Sequence, residues 1–203
     1  MRKEMKTELT KEKILIAAMN EFGTNGYAGA SLNNICSTGI AKGLLYHNYE
    51  NKDALYLACV ERCFHTLTEY LNGEDIGNDL QRYVKARLSF FRENENEARL
   101  FFESVLQPPI SLKEDIAKVR IEFDDFNLDL CSRMLETICL RSDVTKEDAI
   151  RYFRLMKEMF NGYFSSPAAH GLSFADTMVT HEIGLSKMLD FMLYGIAKRG
   201  EDK

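Results

Sequence analysis

The chain has 203 residues, of which 45% are hydrophobic, and a formal charge of −5 at pH 7. This length and apolar content suit one or two globular domains with a buried core. No apolar run approaches the roughly 18 residues of a membrane-spanning helix, and the polar start lacks a signal-peptide core, so a cytoplasmic protein is expected.

The charge is unevenly distributed along the chain. Residues 1–52 carry seven Lys/Arg and five Asp/Glu, a net of +2, whereas residues 53–203 carry 19 and 26, a net of −7. The overall negative charge argues against wholesale coating of nucleic acid. Any phosphate-binding surface is therefore expected near the N-terminus.

The cysteines do not form a pattern typical of disulfides or zinc sites. There are five of them, at Cys36, Cys59, Cys63, Cys131 and Cys139. The odd number and the lack of a C-x-x-C pair favour small apolar filler. Cys59 and Cys63 lie four residues apart, which leaves a soft-metal or redox site as an alternative.

The N-terminal segment predicts three helices in an all-α chain. Apolar residues recur at spacings of three and four almost throughout, only three prolines occur, and about nine helices with no strand are expected. The first helix should begin at Thr10 as N-cap and break at Gly23 and Gly26. Ser31 should cap a short second helix, and a third should cover residues 41–48.

The middle of the chain predicts a longer helix followed by several others. Asn51 opens a fourth helix that ends at Asn72-Gly73, and two more are expected at about 78–94 and 96–106. Pro108 and Pro109 then stop the chain from continuing as helix. Ser111 and Glu114 form a possible capping box for a helix that extends to about residue 140.

The last two helices are predicted at about 145–166 and 173–198. Thr145 with Asp148 opens the first, and Ser173 with Asp176 opens the second. Both are apolar over more than one stripe, so a homodimer in which each protomer contributes this pair to a four-helix bundle is expected. A wider core within one chain is the alternative.

The segment 10–60 resembles the N-terminal DNA-binding domain of the TetR family. The resemblance lies in Ile14-Leu15, Ala17-Ala18, Phe22, Gly26-Tyr27, Ser31-Leu32, Ile35, Gly39-Ile40 and the run KGLLYHNYENKDAL at residues 42–55. It covers roughly a quarter of the chain. The rest agrees with the family only in length and helical character.

The resemblance implies a repressor that binds palindromic double-stranded operator DNA as a homodimer and is released by a small effector. Residues 1–52 would be the helix-turn-helix domain, and residues 53–203 the ligand-binding and dimerisation domain. The candidate DNA-binding residues are Ser31, Lys42, Gly43, Leu44, Tyr46, His47, Asn48 and Lys52.

The chemistry of these residue types suits a helix that enters the major groove by its N-terminus. Gly43 has no side chain to obstruct the approach, and Lys42 can reach a guanine edge or a phosphate. Leu44 suits a thymine methyl group. Asn48 can read an adenine edge or serve as a C-cap.

Two departures from the family pattern lie beside the third predicted helix (residues 41–48), which would be the DNA-reading helix. Three residues separate Ile35 from Gly39 where the family has four, and Ala41 replaces the usual Ser or Thr cap, a loss of about 1 kcal/mol. These departures keep open a helical regulator that acts through protein partners. An activator of the same family is also open.

An apolar or aromatic effector of unknown identity is expected among the later helices. The candidate ligand residues are Phe101, Phe102, Phe123, Phe126, Asn127, Met156, Phe160, Asn161 and Tyr163, with His170 as a further polar candidate. We expect no cofactor, metal site or catalytic residue, because Glu-x-x-His, G-x-S-x-G and phosphate-loop motifs are absent from the sequence.

Overall fold

The computed structural model describes residues 2–166, 171 and 173–196. Within these residues the chain is all-α. Its ten α-helices are α1 (Arg2–Gly29), α2 (Leu32–Ser37), α3 (Lys42–Asn48), α4 (Lys52–Gly73), α5 (Leu80–Glu93), α6 (Glu95–Leu106), α7 (Lys113–Val119), α8 (Ile121–Glu136), α9 (Lys146–Phe164) and α10 (Phe174–Ile196), with a 3-10 turn at Ile110–Leu112.

The described chain forms two compact units. The first contains the residues up to Thr66 together with Phe91–Ile121, and the second contains Leu67–Phe90 and the residues from Glu122 onward. In the first unit α1 packs on α6, and in the second α9 packs on α10. None of the helices described is long and apolar enough to cross a membrane.

The first helix differs from the prediction at both ends. It begins at Arg2 rather than at a Thr10 cap, because residues 2–9 contain neither glycine nor proline and favour helix. Gly23 does not break it. A Cβ at Gly23 would lie 2.6 Å from Oδ1 of Asn96, so this glycine allows α6 to approach. The kink lies at Gly26, where φ is 67° and ψ is 171°.

The helix predicted from Ser111 to residue 140 is divided. Ser111 lies in the 3-10 turn, and the N-cap of α7 is Leu112, which makes no side-chain cap, so the proposed Ser111–Glu114 capping box is wrong. The backbone leaves helical geometry at Arg120, which separates α7 from α8, and α8 ends at Glu136. This division raises the number of α-helices in the described part to ten.

Other predicted helix starts are confirmed. Oδ1 of Asn51 accepts the N–H of Ala54 at 2.8 Å, which caps α4. Thr145 and Asp148 form the full capping box of α9. Ser173 Oγ accepts the N–H of Asp176 at 3.1 Å at the start of α10. Residues 167–170 and 197–198 of the predicted boundaries lie outside the described residues.

Candidate nucleic-acid interface

The second helix is fixed at its start by two side chains. Oγ of Ser31 accepts the N–H of Asn33 at 3.2 Å, as an N-cap does. Oε1 of Glu21, on α1, accepts the N–H of Ser31 and the side-chain amide of Asn34, both at 2.9 Å. Because Ser31 is half-buried and serves as the cap, its structural role is established by these bonds; its contact with DNA stays a prediction.

The turn between α2 and α3 is one residue shorter than in the family pattern. The second helix has only six residues, and the N–H and hydroxyl of Thr38 both donate to the carbonyl of Ile35. Gly39 follows with φ at 98°, a left-handed conformation that favours glycine. The end of α2 is therefore well capped despite the shorter turn.

The third helix has one buried side and one exposed side. Leu45 is completely buried. Lys42, Gly43, Leu44, Tyr46 and His47 are exposed. Leu44 and Tyr46 are 41% and 46% exposed, which is unusual for large apolar and aromatic side chains. Apart from its chain neighbours and the backbone of its own helix, no heavy atom of the described residues lies within 4 Å of a Cβ built on Gly43. The exposed side therefore has room for a closely approaching surface.

The residues that follow α3 are held by local contacts. Nδ2 of Asn48 donates to the carbonyl of Leu44 at 2.8 Å, in the last turn of α3, and the contact of Asn48 with DNA stays a prediction. Nζ of Lys52 lies 4.8 Å from the ring centroid of Tyr27, and the hydroxyl of Tyr27 donates to Oδ1 of Asp53 at 2.5 Å. The bond to Asp53, with partial burial, raises the pKa of Tyr27 above its ordinary value, so the hydroxyl remains a donor.

Ala41 makes no side-chain cap at the start of α3. Its carbonyl accepts the N–H groups of Leu44 and Leu45 at 2.9 and 3.1 Å, so the helix begins without a hydroxyl or carboxylate partner. The eight predicted DNA-binding residues all belong to the first unit, five of them on the exposed part of α3. This arrangement suits phosphate and base contacts.

The predicted ligand residues are divided between the two units. Phe101 and Phe102 lie in the first, where they are buried and their rings lie 4.9 and 5.2 Å from that of Phe91. Phe101 also lies 5.4 Å from Phe64. These contacts are those of a packed aromatic core.

The other seven candidates lie in the second unit. The ring of Phe160 lies 4.9 Å from that of His181 in a tilted arrangement, and Oδ1 of Asn161 lies 3.2 Å from Nε2 of the same histidine. Phe123 and Asn127 are buried, Phe126 and Met156 are half-buried, and Tyr163 is exposed. His170 lies outside the described residues.

A buried ion pair was missed at the sequence level. Nε and Nη2 of Arg87, on α5, donate to the two carboxylate oxygens of Glu182, on α10, at 2.7 and 2.8 Å. Tyr83 receives a bond from Arg87 at 3.1 Å and donates to Oδ1 of Asn127. Nδ1 of His181 lies 3.1 Å from Glu182. The signal that was available is the adjacent polar pair His181-Glu182, which lies between the core residues Met178 and Leu185 of α10.

The ion pair keeps Glu182 charged although the carboxylate is completely buried. Burial by itself raises the pKa of a carboxyl group. Here the attraction of Arg87 and hydrogen bonds from Arg87 and His181 outweigh burial, and they lower the pKa of Glu182 to about 2. The interior of the second unit therefore contains a fixed pair of opposite charges.

The cysteines mostly follow the packing interpretation. Cys59 and Cys63 are completely buried, and burial raises the pKa of both thiols. Sγ of Cys63 donates to the carbonyl of Glu97 at 3.1 Å. Cys139 is exposed, so the prediction of filler is wrong there. Within the described part of the chain no group of His, Cys, Asp and Glu is suited to a metal ion.

Comparison with known proteins supports the helix-turn-helix part of the chain. The sequence model of bacterial regulatory proteins of the tetR family matches residues 14–59. A 62-residue segment is 39% identical to the biofilm operon icaADBC HTH-type negative transcriptional regulator IcaR of Staphylococcus epidermidis. That alignment covers 30% of this chain and 34% of IcaR, so only about a third of the curated relative is spanned.

Solved structures resemble the chain over almost its whole length. A putative tetR family transcription regulator from Shewanella sp. PV-4 has a TM-score of 0.60 at 17% identity and covers 94% of this chain and 99% of its own. FadR from Bacillus subtilis, solved with stearoyl-CoA, has 0.64 at 14% identity, covering 91% and 98%. NalD from Pseudomonas aeruginosa, a repressor of the MexAB-OprM efflux pump, has 0.59 at 19%, covering 97% and 100%. At these identities the likeness establishes the fold.

Proposed function

We propose that the chain, whose residues 14–59 match the sequence model of the tetR family of bacterial regulatory proteins, is a transcriptional repressor of that family which binds palindromic operator DNA as a homodimer and is released by a small effector. The observation that carries the proposal is the exposed side of α3. It combines Lys42, an unobstructed Gly43 and Leu44 over a buried Leu45, within the matched residues 14–59.

We place DNA recognition in residues 1–52 and ligand binding and dimerisation in residues 53–203. This functional boundary differs from the boundary of the compact units, because the first unit also contains residues 53–66 and 91–121. The DNA-binding part of the chain, called the reading head below, is therefore supported within the first unit by α4 and α6. Because operator DNA is in the cytoplasm of a bacterium, we place the protein there.

The experiment that tests DNA binding begins with a duplex selected from a random-sequence pool by the purified protein. Binding of the selected duplex should weaken steeply between low and moderate salt, since phosphate contacts release counterions. The variant Lys42→Ala should weaken binding by about tenfold or more at moderate salt. If Lys42 contacts a phosphate in each protomer, the slope of log affinity against log salt should also fall by about two.

The matched control is Lys85→Ala, which removes an exposed lysine of α5 in the second unit. This variant should bind the selected duplex as the wild-type chain does. A wild-type chain that enriches no duplex, or whose binding is insensitive to salt, would contradict the proposal and favour a regulator that binds protein.

The proposed dimer uses the outer faces of α9 and α10. Tyr152, Leu155, Met159 and Tyr163 follow helical spacing on α9, and each is at least 41% exposed. Phe191 on α10 is 73% exposed, and Ile183 lies two turns before it. Apolar stripes of this kind are typical of a surface that is covered by another protein. A second copy of the same helix pair would cover them in a four-helix bundle.

Sedimentation tests the dimer. The chain should sediment at about twice its mass of 23.3 kDa at micromolar concentration. Leu155→Glu with Met159→Glu should give a monomer, because two carboxylates would be buried at the interface. Arg154→Glu adds the same side chain at an exposed position of α9 outside the stripe and should remain dimeric. A monomeric wild-type chain would contradict the proposal.

The effector is proposed to be apolar or aromatic. The support is the chemistry of the second-unit candidates. Phe160 and Met156 are half-buried, and the ring of Phe160 lies beside that of His181, which also contacts Asn161. Because the fold neighbour FadR was solved with stearoyl-CoA, long-chain acyl-CoA belongs in the first panel of compounds. An effector should release the selected duplex and raise the thermal unfolding midpoint of the free protein.

A further inference from the structure

The side chain of Glu103, on α6, reaches the kink of α1. Its Oε1 accepts the backbone N–H of Tyr27 at 2.8 Å. In an uninterrupted helix this N–H would donate to the carbonyl four residues earlier. Because the kink intervenes at Gly26, the carboxylate of Glu103 serves as the acceptor instead.

Gly26 and Glu103 fit each other closely. Gly26 has φ at 67° and ψ at 171°, a region that is essentially restricted to glycine. A Cβ built on Gly26 would lie 3.0 Å from Oε1 of Glu103. The kink therefore requires a glycine for its backbone geometry, and the same glycine leaves room for the carboxylate.

The second oxygen of Glu103 joins α4 to the same point. Oε2 accepts the hydroxyl of Tyr56 at 3.0 Å, and the ring of Tyr56 lies 4.9 Å from the ring of Tyr27. The hydroxyl of Tyr27 in turn donates to Asp53 at 2.5 Å. One carboxylate thus holds the kink of α1 and the first half of α4 together.

The kink leads directly into the reading segment. The N–H of Ala30 bonds to the carbonyl of Gly26 at 3.0 Å, and Ser31 then begins α2. The reading helix α3 lies in the chain between α2 and α4. Glu103 bonds directly to Tyr56 of α4, and it bonds to the kink of α1 from which the chain enters α2. A shift at Glu103 would move these flanking segments.

We propose that Glu103 is a positioning residue for DNA binding, which fixes α3 by bonding the Gly26–Tyr27 kink and Tyr56 at once. The proposal rests on the proposed function of α3 as the DNA-reading helix. It does not require Glu103 to touch DNA.

The chemistry of the two bonds predicts which replacements are tolerated. Glutamine at position 103 has one oxygen to accept the N–H of Tyr27, and its amide can donate to the oxygen of Tyr56, because a phenolic hydroxyl both donates and accepts. Alanine leaves both groups without this partner. Glu103→Gln should therefore retain the position of α3, and Glu103→Ala should lose it.

Fluorescence anisotropy with the duplex selected by the wild-type chain tests the proposal. Glu103→Ala should weaken binding of that duplex by about tenfold or more, and Glu103→Gln by no more than about threefold. Binding of an unrelated duplex at low salt should change by less than about threefold in both variants, because it depends on phosphate contacts rather than on the fit of α3. A loss caused by unfolding would affect both duplexes equally.

The control is Glu95→Ala, which removes an exposed carboxylate of the same helix that pairs within that helix, with Arg99 at 2.8 Å. Its DNA affinity should equal that of the wild-type chain. Amide hydrogen exchange provides a second measurement, and should show the N–H of Tyr27 protected in the wild-type protein and in Glu103→Gln. This measurement decides the matter if Glu103→Ala does not fold.

Three results would overturn the assignment of Glu103: wild-type affinity in Glu103→Ala, an equal loss in Glu103→Gln, or an unprotected Tyr27 amide in the wild-type chain. All three differ from the failure of the proposed function itself. In that case the wild-type chain would select no duplex, and the role of Glu103 in DNA binding would fall with it.

Discussion

Replacing Arg87 with methionine would remove the cation from the interior of the second unit. Three nitrogens of Arg87 donate hydrogen bonds, two to Glu182 at 2.7 and 2.8 Å and one to Tyr83 at 3.1 Å. The side chains of Arg87 and Glu182 are 4% and 0% exposed. The variant therefore leaves a carboxylate buried without the cation that keeps its pKa low.

The expected cost is set by the burial of the unpaired charge. Removing one partner of a buried ion pair destabilises a protein by about 3–5 kcal/mol, which for a chain of this size lowers the thermal midpoint by about 6–20 °C. Arg82→Met on the same helix is the control. Arg82 pairs with Asp75 at 2.8 Å, but both side chains are more than half exposed, so the cost should stay below about 1 kcal/mol.

Equilibrium unfolding in urea, followed by far-UV circular dichroism, measures both variants. The protomer concentration must be the same throughout, because dimerisation contributes to the apparent stability. The double variant Arg87→Met with Glu182→Met should recover most of the loss, since an apolar pair of similar volume replaces the buried charges. The reasoning is refuted if Arg87→Met is no less stable than Arg82→Met, or if the double variant is no more stable than Arg87→Met.

Four further results are expected. Because the pKa of Glu182 is held at about 2 against an ordinary 4.5, the stability that this carboxylate contributes is complete above pH 4.5 and is lost as the pH falls towards 2. The free energy of unfolding, measured across this pH window, should therefore vary less in Glu182→Gln than in the wild-type chain. Gly26→Ala should lower the free energy of unfolding in urea by about 1–3 kcal/mol, because φ at Gly26 is 67° and the added Cβ would lie 3.0 Å from Glu103. An unchanged free energy would contradict the requirement for glycine. Gly43→Ala should leave the thermal midpoint unchanged or slightly raised, since a Cβ has open space there. It should nevertheless weaken binding of the selected duplex by about fivefold or more, because the methyl group lies on the side proposed to face the groove, and full affinity would exclude close approach at this residue. Ala41→Ser should raise the unfolding free energy by about 1 kcal/mol by supplying the N-cap that α3 lacks, and no gain would show that the geometry of the turn prevents capping.

Local signals in the sequence predicted much of the fold and of the reading head. Ser31, Asn51 and Thr145 each begin or cap a helix where predicted, because a cap depends on a few neighbouring residues. Leu45 is buried and Lys42 is exposed, as the amphipathic spacing of α3 indicates. Helix periodicity and capping chemistry are readable within one or two turns.

The errors arose where the deciding contact lies far away in the sequence. Gly23 was expected to break α1, but its role is set by Asn96. The bond from Arg87 to Glu182 spans 95 positions, and the bond from Tyr27 to Glu103 spans 76. No local pattern reports such partners. The break at Arg120 was missed for the opposite reason, since the apolar spacing continues across it while the backbone does not.

The first unit is built from two separate segments of the chain, and this affects when it can fold during synthesis on the ribosome. Its two segments are separated by Leu67–Phe90, so α6 leaves the ribosome well after the reading helix. Until then the nascent head lacks the helix that supplies Glu103 and covers Gly23, and it cannot complete its core. A recombinant fragment that stops at residue 66 would share this defect. Such a fragment should be cleaved rapidly by proteases, and the full-length protein should resist them in the same segment.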